Sequence, residues 1–201
     1  AFQRATLVDP SHAIGSYGVG FCHLGRSNWR DATCLFLRAR VAVRSPTSTR
    51  INAEIHIALG HCQKSLGFFF DARRSFKRAS VTEPANAQVY FNHSNCLDQT
   101  AIDGFPTRLA AWAVAVQPGT ANYWNELGRL TTEDDALEVC VNAYRRALIL
   151  DPAHPHGWNN LGITHKRKDE LLPGIDCFRR ARAIHPGNDQ ALSNLGRNLL
   201  L

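Results

Sequence analysis

The chain has 201 residues, 44% of them apolar and 20% charged, a balance that suits a folded domain or repeat array and excludes a disordered one. Lys and Arg exceed Asp and Glu by 23 − 17 = 6, which favours acidic partners or an anionic assembly without singling out nucleic acid. No apolar run approaches the roughly 20 residues of a membrane-spanning helix, so no membrane span is predicted.

Taken in order, residues 1–12 carry Phe2, Ala5 and Pro10, read as the tail of a unit whose first helix is missing. Residues 13–46 form the first whole unit. Its first helix carries Tyr17, Val19, Gly20 and His23, and its second sets Ala32, Phe36 and Ala39 on one helical face. Gly20 and Ala32 allow the two helices to approach while Phe36 fills the space beside them. An insertion at 47–52 follows, where Pro46 and the hydroxyl residues suggest a loop and an early start for the next helix. The unit at 53–86 is nearly regular, with Gly60, Ala72, Phe76, Ala79 and Pro84 in register.

The unit at 87–120 is the weak one. Pro106 stands where a small packing residue belongs, and proline is tolerated only in a helix's first turn. Its second helix should therefore be short and start near Phe105–Thr107, after a loop at 101–104. Units 121–154 and 155–188 match each other closely. Trp124-x-x-Leu127-Gly128, Tyr144-x-x-Ala147 and Pro152 return 34 residues later as Trp158-x-x-Leu161-Gly162, Phe178-x-x-Ala181 and Pro186. Pro173-Gly174 is expected to delay the last whole second helix. Residues 189–201 are the first helix of a further unit. The chain thus reads as one continuous array of eleven or twelve helices without a sheet, an internal segment of a longer protein.

Chemistry-bearing motifs point away from catalysis. There is no Gly-x-Ser-x-Gly, no phosphate-binding Gly loop and no His-Glu-x-x-His. The six cysteines contain no Cys-x-x-Cys pair. Cys22, Cys62 and Cys96 recur at one place, expected to pack inward, and read as small buried apolar residues in a reducing, intracellular compartment. His154-Pro155-His156 lies beside no carboxylate or cysteine cluster and reads as a turn, so no metal and no cofactor is expected. Arg145-Arg146 and Arg179-Arg180 should face solvent. Glu133-Asp134-Asp135 and Lys166-Arg167-Lys168 end equivalent helices in neighbouring units and should pair between them.

The informative polar set is asparagine. Asn92, Asn160 and Asn194 each precede the apolar-small pair of a first helix, and Asn95, Asn125 and Asn159 stand beside that row. Asparagine is a mediocre helix former, so a recurrent mid-helix place needs a reason. A carboxamide offers a donor and an acceptor, which matches a peptide bond of any sequence. Arg129 and Arg197 lie one turn beyond Asn125 and Asn194 and could take an acidic side chain or terminal carboxylate. These eight residues form the expected partner-binding groove.

The 34-residue period with Trp, Leu-Gly, aromatic, Ala and Pro at fixed places resembles the tetratricopeptide repeat. That resemblance implies an all-α, right-handed superhelical solenoid of antiparallel helix pairs whose first helices line a concave groove. It implies a non-catalytic scaffold, a segment or subunit of a larger assembly, that holds an extended peptide or helix of a protein partner, acidic groups included. Nucleic acid is not the expected partner. The asparagine row resembles that of the O-GlcNAc transferase array, although Gly18, Ala58 and Glu126 interrupt it. Tyr17-Gly18-Val19-Gly20, Arg50 to His56 and Asn86 to Phe91 resemble the arrays of general transcriptional corepressors and JmjC histone demethylases. These two likenesses imply the alternative, a substrate-recognition arm of a larger glycosyltransferase or demethylase.

Overall fold

The computed structural model describes residues 13–43, 49–98, 105–131, 136–154, 156–187 and 189–199. Among these residues the regular structure is helical and no strand forms. The helices are α1 (Ala13–Leu24), α2 (Trp29–Ala42), α3 (Thr49–Ser65), α4 (Phe69–Thr82), α5 (Ala87–Asp98), α6 (Phe105–Val116), α7 (Ala121–Leu130), α8 (Leu137–Leu150), α9 (Gly157–Arg167), α10 (Leu171–Ile184) and α11 (Asp189–Leu199). The chain divides into two compact units, 1–106 and 107–201, and the division falls at Pro106 inside the irregular repeat.

In the first unit α1 packs on α2 and α3 on α4, with α2 against α3 and α4 against α5. In the second, α7 packs on α8 and α9 on α10, with α8 against α9 and α10 against α11. The aromatic of each second helix is the centre of each pair: Phe36 and Phe76 are 0% exposed, Phe178 is 1% and Tyr144 is 5%. The small residue opposite is required by distance. A Cβ on Gly60 or Gly162 would lie 2.6 Å from the ring of Phe76 or Phe178, inside van der Waals contact. Gly20 and Gly128 stand against Phe36 and Tyr144 in the same way.

The turn within a repeat is made by backbone chemistry. The N–H groups of Asn28, Phe68 and Glu170 donate to the carbonyls of His23, Gln63 and His165 at 2.8–2.9 Å, each spanning five residues. This Schellman closure needs one left-handed residue between the helices. The position is held by Gly67 (φ 81°) in α3–α4, but by Ser27 (φ 55°) and Asp169 (φ 59°) in the other two turns. Between repeats, the Trp and Pro of the motif meet. The indole Nε1 of Trp124 donates to the Pro118 carbonyl at 2.7 Å, and that of Trp158 to Pro152 at 2.8 Å.

Several expectations need correction. Helix α10 is not delayed by Pro173-Gly174. It starts at Leu171, so Pro173 sits in the first turn, where no intrahelical donor is lost. Gly174 is buried there, where an added Cβ would come within 3.2 Å of the Gly162 carbonyl oxygen. Cys62 and Cys96 are buried, whereas Cys22 is exposed. Glu133, Asp134 and Asp135 lie outside the described residues. Lys168 does pair across repeats, with Glu138 at 2.7 Å, as well as with Glu170 at 2.9 Å. Helix α3 does begin early, at Thr49, and α6 does begin at Phe105. Residues 1–12 and the loops at 44–48 and 99–104 lie outside the described residues.

Candidate functional site

The fifth, sixth and ninth residues of each repeat share one face of the first helix. Helix α9 shows how that face is built. Asn160 Nδ2 donates to Asn125 Oδ1 on α7 at 3.1 Å, and Asn159 Oδ1 accepts from Asn194 Nδ2 on α11 at 3.1 Å. Two adjacent carboxamides therefore reach in opposite directions, one to the preceding repeat and one to the following. Asn125 (8% exposed) and Asn159 (3%) are buried by these contacts, while Asn160 and Asn194 remain half-buried.

The predicted groove residues consequently divide. Asn125, Asn159, Asn160 and Asn194 are brought together in two inter-repeat pairs. Asn92 is in the other unit, buried, with its Nδ2 donating to His61 Nε2 at 3.2 Å. Asn95 is half-buried and turned back on its own helix, donating to the Phe91 carbonyl at 3.0 Å. The Arg129 guanidinium makes a two-pronged bond to the buried Glu126, Nε to Oε2 at 2.9 Å and Nη2 to Oε1 at 2.7 Å. Its charge is met within α7, which weakens its expected part in catching an acidic group. The Arg197 side chain lies outside the described residues.

The first unit uses the same positions differently. Tyr17 donates to Glu54 Oε2 at 2.8 Å between α1 and α3, and Arg50 Nε donates to Glu54 Oε1 at 3.3 Å. Burial and the Glu54 hydrogen bond raise the Tyr17 phenol above its ordinary range. Phe21 and His61, both ninth residues, rest edge-on against the buried ring of their own repeat, Phe36 and Phe76, at 5.5 Å each. Between α1 and α3 opens a cavity of about 450 Å³, lined by Tyr17, Phe21, Leu24, Ile57, Ala58 and His61 among others. Its walls are mainly apolar, and Phe21 stays 47% exposed. Burial, and then the Lys64 charge, lower the His61 pKa below the ordinary histidine value. The neutral ring is thus the one that accepts from Asn92.

Sequence reasoning missed Tyr17, Phe21, Ile57 and His61 as a site. The signal was present, because they occupy the places that Asn125, Arg129 and Asn159 hold in later repeats. His154 does lie in a turn, its N–H bonded to the Asp151 carbonyl at 3.1 Å, but its side chain has a further part. That imidazole is 4% exposed, its Nε2 lies 2.8 Å from Asn122 Oδ1, and its Nδ1 accepts from the Gly157 N–H at 3.1 Å. It ties α7 to the start of α9 rather than serving as a bare turn residue. Among the described residues no group of His, Cys, Asp and Glu could hold a metal ion. No described helix is long and apolar enough to cross a membrane.

No family model and no curated protein sequence matches the chain. Solved structures do match. YrrB, described as a TPR protein with an unusual peptide-binding site, superposes with a TM-score of 0.78 at 16% identity, over 96% of each chain. MamA from residue 41 onward, from Desulfovibrio magneticus RS-1, gives 0.76 at 19% identity, covering 88% of this chain and 97% of that one. The APC/C hetero-tetramer Cut9–Hcn1 gives 0.77 at 14% identity, with 98% of this chain on 38% of the other. At these identities the likeness establishes the fold, that of a tetratricopeptide-repeat solenoid.

Proposed function

We propose that this tetratricopeptide-repeat chain is a non-catalytic protein-interaction scaffold that receives a segment of a partner, extended or helical, on the faces of its first helices. The observation that carries this reading is the cleft between α1 and α3. It is preformed, of the size that small ligands and anchoring side chains occupy, and its apolar wall is interrupted by the Tyr17 phenol, the Glu54 carboxylate and the His61 ring. An apolar or aromatic side chain would fill the wall while the polar groups meet the adjoining backbone. In the second unit Asn160 gives one amide hydrogen to Asn125 and keeps another donor and its Oδ1 for a partner's peptide group. Relatives of the same fold support it: one is described as having a peptide-binding site and another belongs to a multiprotein complex.

The test is peptide selection from a random display library on the whole chain, followed by binding to variants. Phe21→Asp should abolish capture of peptides with an apolar anchor. Asn160→Ala with Asn194→Ala should weaken backbone-dependent binding by about 1–3 kcal/mol. Arg145→Ala with Arg146→Ala, on the exposed face of α8, is the control and should change little. Loss of binding in the control alone would place the partner on the second helices and refute the proposal.

A further inference from the structure

The other flank of α3 carries a second cleft, and its chemistry is opposite to the first. Asn52 and His56 line it from α3, and Arg74, Lys77, Arg78 and Val81 from α4, around a cavity of about 730 Å³. The two cavities share no lining residue. Among the described residues no carboxylate lines this one. Arg74, Lys77 and Arg78 stand at i, i+3 and i+4, so three like charges crowd one helix face, an arrangement that costs helix stability unless something offsets it. Among the described residues none of the three makes an ion pair. His56 lines the cleft, and its Nδ1 is shielded from solvent without a hydrogen-bond partner, a state of a buried polar atom that calls for an explanation.

From this we infer that the α3–α4 cleft is a binding site for a small molecule carrying more than one phosphate group. Three cations exceed what one carboxylate can engage, whereas phosphate oxygens accept from several guanidinium and ammonium donors at once. The volume is that of a small-molecule site rather than of a single bound ion. Burial, then the charges of Arg78 and Arg40, hold the His56 ring neutral, its pKa lowered to about 4. Because the His56 ring lines the cleft, its resonances report on occupancy by phosphate. This site is independent of the partner segment assigned to the first-helix faces.

The experiment is calorimetric titration of the whole chain with inositol hexakisphosphate at about 150 mM salt, where diffuse surface attraction is screened. Lys77→Gln with Arg78→Gln should weaken binding by about tenfold or more. Arg26→Gln with Arg30→Gln removes the same two charges from exposed positions of the same unit and should alter it less than about twofold. The side chains of Lys77 and Arg78 are exposed on α4, so circular dichroism should show both double variants folded. His56 ring resonances should shift on titration in the unmodified chain. Absence of binding, equal loss in both double variants, or an unmoved His56 ring would overturn the inference. A phosphoserine peptide binding more tightly than inositol hexakisphosphate would overturn the small-molecule assignment.

Discussion

The two units solve one problem with different side chains. In both, neighbouring first helices are joined by side-chain hydrogen bonds near the middle of the helix. The first unit uses Tyr17 with Glu54 and Asn92 with His61, and the second uses Asn160 with Asn125 and Asn194 with Asn159. Carboxamide pairs leave a polar face. Aromatic and apolar residues at the same positions leave the cleft beside Phe21 and Ile57. One repeat geometry therefore offers a side-chain pocket in one unit and backbone-matching groups in the other.

The comparison breaks most severely if the shared core is attacked. Ala79 and Ala147 hold the same place in the two units and both are 0% exposed. Ala79→Asp and Ala147→Asp should each bury an unpaired carboxylate and destabilise their own unit by several kcal/mol. Thermal unfolding measures this, and an unchanged melting temperature for either would show that the unit lacks the repeat core.

A smaller effect separates the units by pH. His93 sits where Leu59, Leu127, Leu161 and Leu195 sit in other repeats, is 4% exposed, and leaves Nδ1 unpartnered. Burial, with help from Arg73 and Lys77, lowers its pKa from 6.5 to about 4. The unfolded chain then takes up its proton first as the pH falls, so stability drops between about pH 6.5 and pH 4. His56 and His61 act in the same direction in the same unit, and His154 does so in the other. Amide exchange should show the first unit loosening before the second on acidification. His93→Leu should raise stability by about 1–3 kcal/mol at neutral pH and flatten the acid loss.

Weaker still are the joints and turns. Asn160→Ala leaves the buried Asn125 Oδ1 without its partner and should cost about 1 kcal/mol in denaturant unfolding. The first-helix asparagines thus contribute to folding as well as to the face they line. Asp169→Gly and Ser27→Gly relieve a left-handed residue with a Cβ and should add up to about 1 kcal/mol to the second and first unit respectively.

Much of the fold was legible because each repeat writes its packing locally. Gly60 and Phe76, or Gly162 and Phe178, meet across one short turn, and spacing alone pairs them. The candidate site was less legible because its bonds cross repeats. Nothing in the spacing says that Asn160 reaches Asn125, 35 residues away, while Asn95 turns back on Phe91 of its own helix. Pro173 misled because proline reads as a break, and only the helix start at Leu171 shows it to be a first-turn residue.

The central claim is that the first-helix faces receive the partner. Amide hydrogen exchange of the whole chain, with and without a display-selected peptide, tests it most directly. Added protection should appear in α1 and α3 around Phe21 and His61, or in α7 and α9 around Asn125 and Asn160. Protection confined to α2, α4, α8 and α10 would contradict it.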